Sequence, residues 1–198
     1  MIRTLLVFLF AYLAGSINFA IIFFKLTGRE DPRLSYSGNA GATNVYRQAG
    51  MGRAALIFFL DIGRALAVAL VACYYLKASF LPWAAFFLIL GNSFPCFHGF
   101  RGGKGVANYL GYTLLISPWA AVASAAAWLA AYGVFRVTFI ASFFMIFILA
   151  VGQAHYGLWK FGAVSGALAS LLLILFNHRK NIREYRNPAQ HSEKDDEE

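Results

Sequence analysis

The chain has 198 residues, 60% of them hydrophobic and 13% charged, with 17 Lys or Arg against 9 Asp or Glu and a mean hydropathy of +0.60. An ordinary soluble domain carries about 25% charge, which excludes that class, and apolar runs of about 20 residues over nearly the whole length exclude a nucleic-acid binder in spite of the basic balance. The composition is that of an all-α polytopic membrane protein.

In chain order, residues 2–24 are apolar apart from Arg3, Thr4, Ser16 and Asn18. They lack a basic leader and a small-residue cleavage site, so they read as a first span rather than a removed signal. Further spans are expected over 54–76, 80–97, 139–158 and 161–176. Residues 106–135 are too long for one crossing, and Ser117-Pro118 interrupts them where a helix would restart. Basic loops stay in the cytoplasm. Three basic segments, 25–53, 98–105 and 177–186, fall on one side only if 106–135 crosses twice. The expectation is therefore seven transmembrane helices, amino terminus out and carboxyl terminus in. Residues 1–186 form one transmembrane domain in this reading, with 187–198 a disordered acidic tail holding five of the nine acids. Cys73 and Cys96 fall in apolar stretches without ligand spacing and read as packing residues, so neither a disulfide nor a zinc site is expected.

Chemistry is expected where composition alone does not explain the residues. Ser37-Gly38-Asn39-Ala40-Gly41-Ala42-Thr43-Asn44-Val45-Tyr46-Arg47 packs small residues, amides and hydroxyls beside one guanidinium. Glycine lets backbone N–H groups approach an anion, Ser37 and Thr43 add hydroxyls, and Arg47 offers a planar fork for phosphate oxygens. A plain turn joining two helices is the other reading of this stretch. Gly99-Phe100-Arg101-Gly102-Gly103-Lys104-Gly105 sets two cations among four glycines just before an apolar helix, which is an anion site or a basic membrane anchor. It is not a Walker A loop, because Gly105 stands where that motif has Ser or Thr.

Asp61 and Arg64 share a helical face inside a span, where a lone charge costs about 2.5 to 3.5 kcal/mol or more, so they are expected to pair; a functional role and a bracing role both remain open. His178-Arg179-Lys180-Asn181 is a further donor cluster or a basic anchor. His155 reads as a core or interfacial residue and His98 stays open. His191 with Asp196 matches the soluble acyltransferase spacing by chance, in an acidic tail without an apolar pocket.

Together, SGNAGATNVYR, LILGNSFPCFHGFRGGKGVAN and NHRKNI resemble the three cytoplasmic motifs of the bacterial integral-membrane glycerol-3-phosphate acyltransferases, the PlsY family, over residues 5–185. The resemblance implies a multi-pass enzyme of the bacterial inner membrane acting in phospholipid biosynthesis. Such an enzyme moves an acyl group from acyl phosphate to the 1-hydroxyl of glycerol 3-phosphate, giving lysophosphatidic acid and phosphate. It maps Ser37, Asn39, Thr43, Asn44, Arg47, Gly102, Gly103, Lys104, Ser142, His178 and Asn181 onto the phosphate-binding positions. Lys104, Arg47, Ser37, His178 and Asn181 are the catalytic candidates. Gly38, Gly41, Arg101 and Gly105 join the binding set from the loops themselves. Where the family has Gly-His-x-Phe-Pro this chain has Asn92, where it has Asp-x-x-Lys it has Arg64, and a usual basic residue is Glu184.

The mechanism expected asks little of side-chain basicity, because acyl phosphate is already activated. Positioning and electrostatics act on the two phosphates, and the hydroxyl proton passes to a donor phosphate oxygen or to His178. No metal or other cofactor is expected, the partners are the two substrates and membrane lipid, and the oligomeric state is left open. An anion or phosphate-ester transporter is the alternative function, disfavoured because the polar motifs map to one side and no inverted repeat is evident. A non-catalytic partner on the same scaffold is the other.

Overall fold

A computed structural model describes residues 1–187, so all of the acidic tail except Asn187 lies outside the described residues. Among them the regular elements are all helical: α1 (Ile2–Ser16), α2 (Phe19–Leu26), α3 (Ala42–Ala49), α4 (Met51–Tyr75), α5 (Leu81–Ser93), α6 (Val106–Ile116), α7 (Pro118–Phe135), α8 (Thr138–Tyr156), α9 (Phe161–Asn177) and α10 (Arg179–Arg186), with single 3₁₀ turns at Ala78–Phe80 and Cys96–His98. The all-α expectation holds. Five segments are long and apolar enough to cross a membrane, and α9 with α10, bent by 47° at their junction, gives a sixth only if the bent pair is counted as one span. The 11 residues of α6 reach only about 16 Å, roughly half the hydrocarbon thickness.

Three expected elements differ from the structure. The first span breaks at Ile17 and Asn18, because the Asn18 side chain caps α2 by accepting from the Ile21 N–H at 3.1 Å and donates to the Ala40 carbonyl at 3.2 Å. The 25–53 loop contains α3, and 177–186 is largely α10 rather than a loop. Both short helices are strongly two-faced, so a hydropathy window tuned to membrane spans passes over them. Cys73 is exposed on α4 rather than packed, because its face of that helix points outward.

Burial is distributed as a membrane bundle requires. Leu5, Leu9, Phe59, Phe147 and Leu172 are exposed on the outer surface, whereas Asn18, Asn44, Asp61, Arg64, Asn92, Asn108 and Gln153 are buried. Lipid tails are as apolar as leucine, so helices associate here through close packing and interhelical hydrogen bonds. Small residues make that approach possible: a Cβ on Gly15 would lie 2.2 Å from the Leu88 carbonyl oxygen, and one on Gly91 would lie 2.0 Å from that of Tyr12. These reciprocal glycines bring the backbones of α1 and α5 together. On the far side of the site, a Cβ on Gly111 of α6 would come within 2.9 Å of the Ile62 backbone on α4.

Candidate active site

The loop after α5 folds back along that helix. The Gly102 N–H donates to the Ser93 carbonyl at 3.1 Å and the Gly103 N–H to the Asn92 carbonyl at 2.9 Å. No side chain fits at either glycine, since a Cβ would fall 2.1 Å from the Asn92 carbonyl oxygen or 2.8 Å from Asn92 Nδ2. Gly105 closes the turn at φ +91°. The α6 helix then starts without a side-chain cap.

The loop before α3 is wrapped onto that helix by Asn44, which is fully buried. Its Nδ2 donates to the Pro32 carbonyl at 2.7 Å and the Ser35 carbonyl at 3.3 Å, while its Oδ1 accepts from the Ser37 N–H at 3.4 Å. Arg33 joins the two loops. Its Nε is 2.9 Å from Asp31 Oδ1, and its NH1 group donates to the carbonyls of His98 at 2.8 Å and Arg101 at 2.7 Å. The hydrogen bonds from Arg33 hold the Asp31 carboxyl below its ordinary value.

The third segment arrives from α9. Asn177 Nδ2 donates to Ser93 Oγ at 2.8 Å and to the Lys104 carbonyl at 3.3 Å, and the chain turns at His178 into α10. Asn181, one turn along, accepts a hydrogen bond from Lys104 Nζ. His178 Nδ1 lies 2.8 Å from the Ile174 carbonyl. A carbonyl only accepts, so the proton is on Nδ1 and Nε2 carries the lone pair. Burial, and next the Lys104 charge, lower the imidazole to about 4, which keeps it neutral.

These segments enclose a cavity of about 480 Å³. One end is polar, lined by Ser37, Asn39, Gly41, Thr43, Arg47, Gly103, Lys104, Gly105, His178 and Asn181. The amino-terminal residues of α3 and of α6, both helices without side-chain caps, face this end, so two helix dipoles add to the cations Arg47 and Lys104. Burial, offset by Glu184 and reinforced by Arg47, lowers the Lys104 ammonium to about 8. The other end is apolar, with Phe58, Leu110, Ala125, Trp128, Leu129, Phe139 and Met145. Ser142 lies on the wall, donating to the Thr138 carbonyl at 2.9 Å and accepting from Trp128 Nε1 at 3.4 Å. A polar anion cradle opening into a greasy groove can hold an anionic lipid head and its chain together.

Not every residue of the sequence motifs faces this space. Gly38, Asn44, Arg101 and Gly102 are absent from its lining. Asn44 and Gly102 are spent on folding their loops, Arg101 is exposed with its carbonyl on Arg33, and Gly38 turns the chain at φ +62°. Sequence reasoning missed Arg33, Asn108, Trp128 and Thr138. Asn108, a polar residue in an apolar helix, was the one with a readable signal. Glu184 pairs with Lys180 at 3.6 Å and does not line the cavity.

Behind the polar end lies the Asp61–Arg64 pair, 2.8 Å apart and buried. Asp61 and Asn92 line the cavity, and Arg64 reaches past them. Its NH2 group donates also to Asn108 Oδ1 at 2.7 Å and Asn92 Oδ1 at 3.3 Å, and its NH1 group donates to the Ile17 carbonyl freed by the break between α1 and α2. One guanidinium thus ties four membrane helices through Asp61 and neutral acceptors, while its Nε, also buried, has no hydrogen-bond partner among the described residues.

The family pattern described as glycerol-3-phosphate acyltransferase matches residues 5–188 of the chain. A glycerol-3-phosphate acyltransferase of Pseudomonas fluorescens strain Pf-5 is 38% identical over 180 residues, covering 89% of this chain and 92% of the relative. One of Bordetella petrii is 40% identical over 184 residues, covering 87% and 84%. Among solved structures, the glycerol 3-phosphate form of PlsY (YgiH), an integral membrane glycerol 3-phosphate acyltransferase, superimposes with a TM-score of 0.83 at 34% identity, over 93% of this chain and 92% of that one. Its lysophosphatidic acid form gives 0.81 at 33% identity, with the same coverage.

Proposed function

This chain belongs to the glycerol-3-phosphate acyltransferase family, and we propose that it transfers an acyl group from an acyl phosphate to the 1-hydroxyl of glycerol 3-phosphate. The observation that carries the reading is the two-ended cavity, with Arg47, Lys104 and two helix amino termini at one end and an apolar groove at the other. Two phosphate groups, one on each substrate, fit two cations. Ser37, Asn39, Thr43, Gly103 and Gly105 supply further donors around them, and Asn181 orients the Lys104 ammonium.

In the reaction the hydroxyl oxygen attacks the acyl carbonyl, the carbon to phosphate-oxygen bond breaks, and the phosphate leaves with the hydroxyl proton. His178, neutral with a bare Nε2, accepts a hydrogen bond from the hydroxyl and aims it. A base at about 4 is a poorer proton acceptor than a phosphate oxygen with its second ionisation near about 6, so the leaving phosphate takes the proton. Lys104 and Arg47 stabilise the charge that builds on that phosphate.

Seven crossings, with the amino terminus outside and the three motif segments in the cytoplasm of a bacterial inner membrane, complete the proposal. The basic loops support this orientation. The helix break at Ser117 and Pro118 supports counting α6 and α7 separately, with α6 shielded by its neighbours. The test is purified protein with glycerol 3-phosphate and palmitoyl phosphate, followed by phosphate release and lysophosphatidic acid formation. Neither product appearing in folded protein sinks the assignment; product from a palmitoyl thioester alone replaces the donor.

A further inference from the structure

Helix α10 has two faces with different work. Asn181 lines the active-site cavity and holds Lys104, and Tyr185, one turn further, packs edge-on against Phe139 of the cavity wall with ring centroids 5.6 Å apart. Arg179, Arg183 and Arg186 stand at i, i+4 and i+7 on the other face, all exposed, around an open depression of about 330 Å³ shared with Ile182. Among the described residues no carboxylate pairs with these three guanidinium groups. Arg179 is anchored, its NH1 group donating to the Phe176 carbonyl at 3.2 Å with the guanidinium 4.1 Å from that ring. The depression therefore sits where the apolar helix α9 ends, the place at which a membrane-spanning helix reaches lipid headgroups.

We propose that this arginine face is a binding site for the phosphate headgroup of anionic phospholipid in the bilayer, and that its occupancy fixes α10 and so the Asn181 contact to Lys104. The second part rests on the acyl-transfer reading. Three arginines on one face match an anionic membrane surface, each contributing about fivefold in affinity for it. Headgroups are supplied at this depth by the membrane itself, and the Ile182 side chain among the arginines suits the glycerol and upper acyl region. With α10 bent by 47° from α9 and only eight residues long, a ligand on its outer face decides its orientation where few internal contacts do.

The experiment uses the full-length protein in nanodiscs of phosphatidylcholine alone or with about one third phosphatidylglycerol to give an anionic surface, together with native mass spectrometry in detergent containing both lipids. Wild type is expected to retain phosphatidylglycerol over phosphatidylcholine. Its turnover with palmitoyl phosphate should rise about threefold or more in anionic discs, mostly as a lower KM for glycerol 3-phosphate. The R183Q/R186Q variant is expected to lose both the retention and the stimulation while keeping its turnover in phosphatidylcholine. No lipid preference in wild type, or an equal one in the variant, overturns the site. Retention without stimulation overturns the coupling and keeps the site. Retention with no turnover in any lipid strikes the acyl-transfer reading alone. A response that appears only after removal of residues 188–198 means that the chain's own acids occupy the face, which also overturns the proposal.

Discussion

Arg64 on α4 and Asn92 on α5 are hydrogen-bonded partners, guanidinium NH2 to Oδ1 at 3.3 Å, at the two positions where this sequence departs from the lysine and histidine of the motifs it resembles. The two departures meet in one contact. Arg64 in turn reaches Asp61, Asn108 and Ile17, so the change in donor geometry is shared by a whole network.

Removing that guanidinium should therefore be a stability lesion before it is a catalytic one. Arg64→Met leaves the Asp61 carboxylate buried without its partner, which costs about 3 to 5 kcal/mol. Arg64→Lys keeps the charge but gives up the second nitrogen, which reaches the Ile17 carbonyl, and should lose less. Thermal unfolding in detergent ranks the two variants; a Met variant as stable as wild type would show that the pair contributes nothing.

Asn92→His is expected to lower turnover. The Asn92 side chain lies against the closest approach of Gly103, where a Cβ would be 2.8 Å from its Nδ2, and an imidazole is larger than the amide it replaces. A histidine variant faster than wild type, measured with palmitoyl phosphate, would mean that the scaffold has lost its activity at this position.

The two cations should respond differently to substitution. Lys104→Met removes a charge-assisted contact of roughly 1.5 to 3 kcal/mol, so kcat/KM is expected to fall on the order of tenfold to more than a hundredfold. Arg47→Lys retains charge but loses the fork, and should also cost. Near-normal steady-state kinetics for both, in folded protein, would place the phosphate cradle elsewhere.

The Lys104 ammonium titrates at about 8, below its ordinary value, and it acts as a cation. Rising pH through that value removes the charge, so the alkaline limb of kcat/KM should decline above it. A bound phosphate favours the protonated form, which moves the same limb of kcat upward. Lys104→Arg should extend the plateau to higher pH. A profile unchanged by that substitution would assign the limb to another group.

Topology can be read from exposed positions outside the cavity. In a chain with Cys73 and Cys96 replaced, Leu34→Cys and Tyr185→Cys should label from the cytoplasm only, and Lys77→Cys and Lys160→Cys from outside only. Labelling of Lys160→Cys from the same side as Tyr185→Cys would remove a crossing from α9.

Hydropathy and glycine spacing are local properties, and they sufficed for an all-helical membrane chain and for three polar segments, which the structure brings together around one cavity. Helix starts also followed from local chemistry, as at Gly105 before α6 and Pro118 at the head of α7. What packing alone decided is which members of those segments face the cavity. Ser37 and Lys104 do, whereas Asn44 and Gly102 turn inward to satisfy backbone groups that a tight loop would otherwise leave unpaired in a dry interior. The apolar half of the cavity, from Trp128 to Met145, carried no signal, since a wall residue and a lipid-facing residue look alike in a span until the neighbouring helix is in place. The same reason hid the Arg64 partners: a buried guanidinium demands acceptors, but only the crossing of α1, α5 and α6 over α4 determines that they are Ile17, Asn92 and Asn108.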